Sequence, residues 1–127
     1  MKEQDLFDFL KADLYPDLVK SPGIYDAFDC ISEQAGHYIE LKCRYTHYPT
    51  LLIEEMKYRK LITQAAERDL IPYYINYTPA GIFSFDLMDV PEPVWVSQQM
   101  PATTQFENDN KIDKLVGYLP IDEAVQL

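Results

Sequence analysis

One seven-residue run, Tyr38-Ile39-Glu40-Leu41-Lys42-Cys43-Arg44, constrains this chain more than any other stretch. Side chains alternate along a strand. His37, Ile39, Leu41 and Cys43 therefore fall on one face, and Tyr38, Glu40, Lys42 and Arg44 on the other. An interior strand carries Glu, Lys and Arg side by side only where they pair or bind something. The fold must supply an apolar layer for one face and ionic partners, or a ligand, for the other.

The run also has a hairpin partner. Residues 24–31 are dense in aromatic and β-branched side chains, and the turn Ser32-Glu33-Gln34-Ala35-Gly36 follows. If Ser32 faces His37, Asp29 faces Glu40 on the same side, with Cβ atoms roughly 4.5–5.5 Å apart. Two carboxylates at that distance repel unless a cation sits between them. Mg²⁺ needs only one or two carboxylates, completed by water and substrate phosphate. Lys42, further along the same face, can hold a water or a phosphate oxygen beside such a metal. Metal, ammonium and aligned water together can cut a phosphodiester. A one-residue change of register would swap the faces and set Asp26 opposite Lys42. Asp29 is the preferred ligand and Asp26 the alternative. The string acidic-x-Lys occurs three times, at Glu40, Glu55 and Asp109, but only the first combines strand context, a hairpin partner and an upstream Asp.

Around this hairpin the pattern predicts a helix over residues 2–14, with Leu6, Phe7, Leu10 and Leu14 on one stripe and Pro16 as its stop. Ser21-Pro22-Gly23 reads as a turn. A second helix is expected over residues 50–68, with Thr50 as N-cap. Its buried stripe would be Leu51, Tyr58, Leu61, Ile62 and Ala65, while Lys57, Lys60 and Gln64 line another side. Strands are expected at 71–77 and 82–87 around the turn Thr78-Pro79-Ala80-Gly81. The order α, β, β, α, β, β gives an α/β (α+β) class with a central mixed sheet flanked by helices. Past residue 87, Pro91, Pro93, Pro101 and Pro120 interrupt the pattern. A short edge strand at 94–96 around Trp95, a polar loop at 105–110, a strand at 112–119 and a helical turn at 121–126 are expected there. The whole reads as one domain, with a core at about 2–87 and an irregular extension at about 88–127.

The formal charge of −10 argues against a general nucleic-acid binder. Its distribution qualifies that. Residues 34–85 are net +1, against −5 for 1–33 and −6 for 86–127. A locally basic site on an acidic body would bind a polyanion over a short footprint. No apolar run is long enough for a membrane helix, and no apolar signal region follows the N-terminus. Cys30 and Cys43 make neither a metal-ligand spacing nor a disulfide framework, which suits reduced thiols in a cytoplasmic compartment.

Asp29, a strand, a turn and then Glu40-Leu41-Lys42, with a helix before and after, resembles the PD-(D/E)XK nuclease superfamily. Glu40-Leu41-Lys42-Cys43-Arg44, Tyr48-Pro49-Thr50 and Lys57 are similar to runs in small single-domain nuclease-like proteins of phages and large viruses. The likeness covers about residues 24–87, and Phe28 stands where the family has Pro. The resemblance implies a restriction-endonuclease-like core, αβββαβ, and hydrolysis of DNA with Mg²⁺ or Mn²⁺ in a bacterial or phage-infected cell. Asp29, Glu40 and the Leu41 carbonyl would hold the metal, and Lys42 would assist the attacking water. Arg44, Lys57 and Lys60 would contact substrate, and Glu3 would complete the metal site as an N-terminal Glu does in some relatives. Single-stranded, duplex and branched DNA remain open as substrates, as does a homodimer through the edge near Trp95. The rival reading is a catalytically inactive nuclease fold acting as a binding or assembly module through its acidic residues 86–127. Each feature also has a plainer account: a cross-strand ion pair for Glu40 and Lys42, a solvated helix face for Lys57, Lys60 and Gln64, structural roles for His37 and His47, and a core edge for the tyrosines.

Overall fold

The alternating run forms β3, His37–Cys43, in the middle of a six-stranded sheet. This computed structural model describes residues 1–21, 28–101 and 111–127. Asp26, the first half of the expected 24–31 strand, the Pro22-Gly23 part of the first turn and the 105–110 loop lie outside the described residues. On one side of β3 stands β2, Asp29–Ser32, antiparallel to it, and then β1, Val19–Lys20, antiparallel to β2. On the other stand β5, Ile71–Thr78, parallel to β3, then β6, Gly81–Asp86, and β9, Val125–Gln126. The β2–β3 turn ends at Gly36, whose φ of +75° is readily open only to glycine. That turn sets the register: Ser32 pairs with His37, and Asp29 with Glu40. β1 is too short to leave a periodic signal. Within this sheet, one helix, three antiparallel strands, a helix and a parallel strand follow the αβββαβ succession that the resemblance implies, where the sequence pattern alone gave αββαββ; one further strand, of a second sheet, comes before the second helix.

Two helices cover the sheet. Helix α1, Glu3–Asp13, buries Leu6, Phe7 and Leu10 against one face. The Asp5 carboxylate accepts the Lys2 backbone N–H at its start (2.9 Å). Ile39, Leu41, Ile75, Cys30 and Leu18 complete that layer. Helix α2, Glu55–Glu67, crosses the opposite face and makes the connection that a parallel β3–β5 pair requires. It ends in a Schellman turn: Asp69 is left-handed (φ 56°), and the Leu70 N–H reaches the Ala65 carbonyl (2.9 Å).

The expected helix over 50–68 is corrected at its start. Thr50–Glu54 is β4, a strand of a second sheet, so Thr50 is not an N-cap. β4 pairs with β8, Lys111–Pro120, and β8 with β7, Val96–Pro101. Leu51 and Ile53 alternate inward onto Tyr58, Leu61 and Leu119, where the sequence pattern had placed Leu51 on a helical stripe. The reason is non-local: Glu54 finds its partner at Val116, on the far end of the chain. The edge strand expected at 94–96 begins only at Val96. Trp95 turns inward, edge-on to Tyr58, with its indole N–H on Glu92 (2.9 Å). β8 passes so close to this corner that a Cβ on Gly117 would lie 2.5 Å from Pro93 Cγ. The 121–126 helical turn is a 3₁₀ turn, Ile121–Glu123, followed by β9. No helix among the described residues is long and apolar enough to cross a membrane.

Candidate active site

The polar face of β3 looks toward α2. Tyr38 and its neighbour Tyr74 sit in the α2 layer, with Glu40 between Asp29 on β2 and Tyr74 on β5. Asp29 and Glu40 are both buried, at 3% and 6% exposure. Two such carboxylates need cations, and α2 supplies them. Lys57 reaches Glu40 (3.5 Å), and Lys60, one turn later, reaches Asp29 (3.3 Å). The helix stripe read as solvated or substrate-facing thus points at the two sheet carboxylates. Tyr38 donates its hydroxyl to Asp29 Oδ2 (3.1 Å).

The neutralisation is incomplete. Asp29 Oδ1 is buried and has no hydrogen-bond partner among the described residues. Burial holds the Glu40 carboxyl above its ordinary range, Lys57 pulls it down, and Asp29 adds to the upward push. Both observations fit a hard cation, which would take the free Asp29 oxygen and relieve the carboxylate repulsion. Among the described residues no three His, Cys, Asp or Glu side chains converge on one point. A cation would therefore rest on two carboxylates, with backbone carbonyl and water completing its shell. The Leu41 side chain is in the α1 layer, so only its carbonyl is available.

Lys42 is half-buried and, among the described residues, makes no hydrogen bond or ion pair. Burial, then Lys57 and Arg44, press its ammonium below the usual lysine range, against an upward pull from Glu3 and Glu40. Glu3 and Lys42 line one cavity of about 370 Å³ at the start of α1. Arg44 is anchored through Nε and Nη2: its guanidinium donates to Asn76 (2.9 Å), to the Tyr74 hydroxyl (2.9 Å) and to the Leu52 carbonyl of β4. Those three acceptors leave it joining the two sheets.

His37 and His47 are both used in packing. His37 shares a hydrogen bond with Tyr15 (3.0 Å) and stacks on Tyr73, and burial lowers its basicity. His47 bonds Thr78 (2.8 Å). Sequence reading missed Lys114. It belongs to β8, pairs with Glu54 (3.0 Å) and lines a second cavity with Lys42 and Lys57. Its only signal was alternation on a strand whose partner lay far away.

No protein-family profile and no curated protein sequence matches this chain. Among solved structures, the fold is similar to that of Hjc, a Holliday junction resolvase from the archaeal hyperthermophile Archaeoglobus fulgidus. The TM-score is 0.62 at 12% identity, over 100% of this chain and 93% of that one. At that identity the likeness speaks for the fold: a mixed α+β, restriction-endonuclease-like core with a central mixed sheet and flanking helices.

Proposed function

We propose that the chain is a PD-(D/E)XK-type nuclease that hydrolyses DNA phosphodiester bonds with Mg²⁺ or Mn²⁺. One observation carries the reading: Asp29 stands opposite Glu40 in the β2–β3 register, beside a Lys42 and an Asp29 oxygen that have no partner among the described residues. The similarity to a Holliday junction resolvase supports DNA, branched DNA included, as the substrate to try first. Asp29, Glu40 and the Leu41 carbonyl would hold the ion, which when bound supplies charge neutralisation and a more acidic water. Lys42 orients the attacking water and stabilises charge developing on the phosphate. Its lowered proton affinity lets it give up a proton more readily than a solvated lysine. Lys57 and Lys60 hold the carboxylates in the absence of metal and turn to substrate phosphates when it binds. Asp26 remains the alternative ligand to Asp29. Cleavage of single-stranded, duplex and four-way-junction DNA with Mg²⁺ and Mn²⁺ is the direct test. No metal-dependent cutting of any of them would sink the proposal.

A second reading is favoured by the two lysine–carboxylate pairs, which already bring neutralising charge to the site. Here the fold is an inactive binding module that docks a protein through acidic residues of the C-terminal third. Thermal stability measured against Mn²⁺ separates the two. A metal site is stabilised in proportion to its occupancy, whereas an internally neutralised pair does not respond.

A further inference from the structure

We propose that the β7–β8 hairpin completes an oxyanion pocket beside Lys42, in which Lys114 and Lys42 hold a phosphate of the substrate strand adjoining the one cut. The identity of that strand rests on the nuclease reading; the pocket itself does not.

The pocket is a cavity of about 160 Å³ between the two sheets. Four cations line it (Lys42, Arg44, Lys57 and Lys114) against one acid, Glu54. This excess of positive charge stands out on a chain of formal charge −10. A locally positive cleft with low-dielectric walls concentrates anions even on an acidic body. The cations are not equally available. Arg44 is pinned by Asn76, Tyr74 and Leu52 through Nε and Nη2, and Lys57 leans on Glu40. Lys42 is unpaired among the described residues. Among the described residues Lys114 pairs with Glu54, both side chains being 20% exposed. Met100 and Pro101 of β7 close the outer wall.

Two ammonium groups converging on a small cleft suit a tetrahedral oxyanion, because each brings three donors and no acceptor. Such an anion would also screen the like charges of Lys42 and Lys57 that line the same cleft. Glu54 is then an internal competitor that occupies Lys114 until phosphate displaces it. This arrangement gives the second sheet, which stands outside the αβββαβ core, a direct part in binding.

The test titrates inorganic phosphate into the metal-free full chain by NMR. Lys114→Ala should weaken binding on the order of tenfold, the loss of one charge-assisted bond. Glu54→Gln should strengthen it, and Lys20→Ala, on the distant β1, should leave it unchanged. A purely structural Lys114–Glu54 pair predicts the reverse for Glu54→Gln: lower stability and no gain in affinity. A trinucleotide carrying a terminal phosphate should outcompete its hydroxyl counterpart. If the two bind alike, or Lys114→Ala binds phosphate as tightly as the parent, the proposal is overturned. Loss of phosphate affinity in Lys114→Ala, without DNA cleavage by the parent, would keep the pocket and discard the nuclease. Cleavage with unchanged phosphate affinity in Lys114→Ala would do the opposite.

Discussion

The two faces of β3 share one backbone and nearly equal burial, yet they do opposite things. Ile39 and Leu41 are 0% and 2% exposed beneath α1, and Glu40 between them is 6% exposed beneath α2. On the α1 side, apolar side chains gain transfer free energy and dispersion contacts. On the α2 side, the same depth holds two carboxylates, answered by two half-exposed lysines from α2 and flanked by Lys42, which has no partner among the described residues. Hydrophobic replacements of similar volume at buried ion pairs are often neutral or stabilising. The polar face is thus poorly explained by stability, while the apolar face needs no other account.

Substitutions on each side can break that division. The largest effect is expected at Lys42→Ala, which should lower the cleavage rate by about 10²–10⁴-fold. Its circular dichroism and unfolding transition should stay near those of the parent. Loss of the fold instead would make Lys42 structural and erase the contrast. Leu10→Ala, on the opposite side, should cost about 2–5 kcal/mol in denaturant unfolding. The protein that remains folded should cut normally per molecule. Next comes the metal. At Mn²⁺ about 100 times its dissociation constant, the parent should gain about 2.7 kcal/mol. The Asp29→Asn, Glu40→Gln pair should show no metal-dependent rise in melting temperature.

The smallest effect is pH-dependent. Burial raises the Glu40 carboxyl above its ordinary value of 4.5, so the folded chain holds that proton more tightly than the unfolded one. The stability tied to this group is complete below about 4.5 and lost as pH rises through the raised folded value. Glu40→Gln should therefore melt about a few degrees higher than the parent at pH 7. The gap should close as pH falls toward 4.5. A gap that widens on acidification would mean that Lys57, not burial, dominates at Glu40.

What the sequence disclosed follows from range. β3 was legible because strict alternation is a local signal. Its pairing with β2 was legible because a short turn ending in Gly36 leaves few registers. The β5–β6 hairpin was visible through the Thr78-Pro79-Ala80-Gly81 turn. The carboxylate pair and Lys42 came with the hairpin. The partners of the carboxylates did not. That Lys57 and Lys60 lie over Glu40 and Asp29 depends on how α2 crosses the sheet, which no local pattern encodes. β4 was misread for the same reason, since Leu51, Tyr58 and Leu61 keep helical spacing whether or not residues 50–54 are helical. Lys114 was invisible until β8 was paired with β4.

That misreading bears on how the molecule is made. Residues 50–54 leave the ribosome more than 60 residues ahead of the β8 residues they pair with. Pairings that distant form late, because loop closure must come first. Until then the local pattern is free to run α2 backward through Thr50. A fragment ending at residue 87 should show helical, not extended, ¹³Cα shifts at residues 50–54; extended shifts there would mean that β4 forms without its partner. In the full chain, the arrival of β8 would convert a helical end into a strand, bring Lys114 to the cleft and give Arg44 its carbonyl on Leu52. Residues 111–120 would thus supply the closing step in assembling this fold, and the cleft would be complete only once β8 has paired with β4.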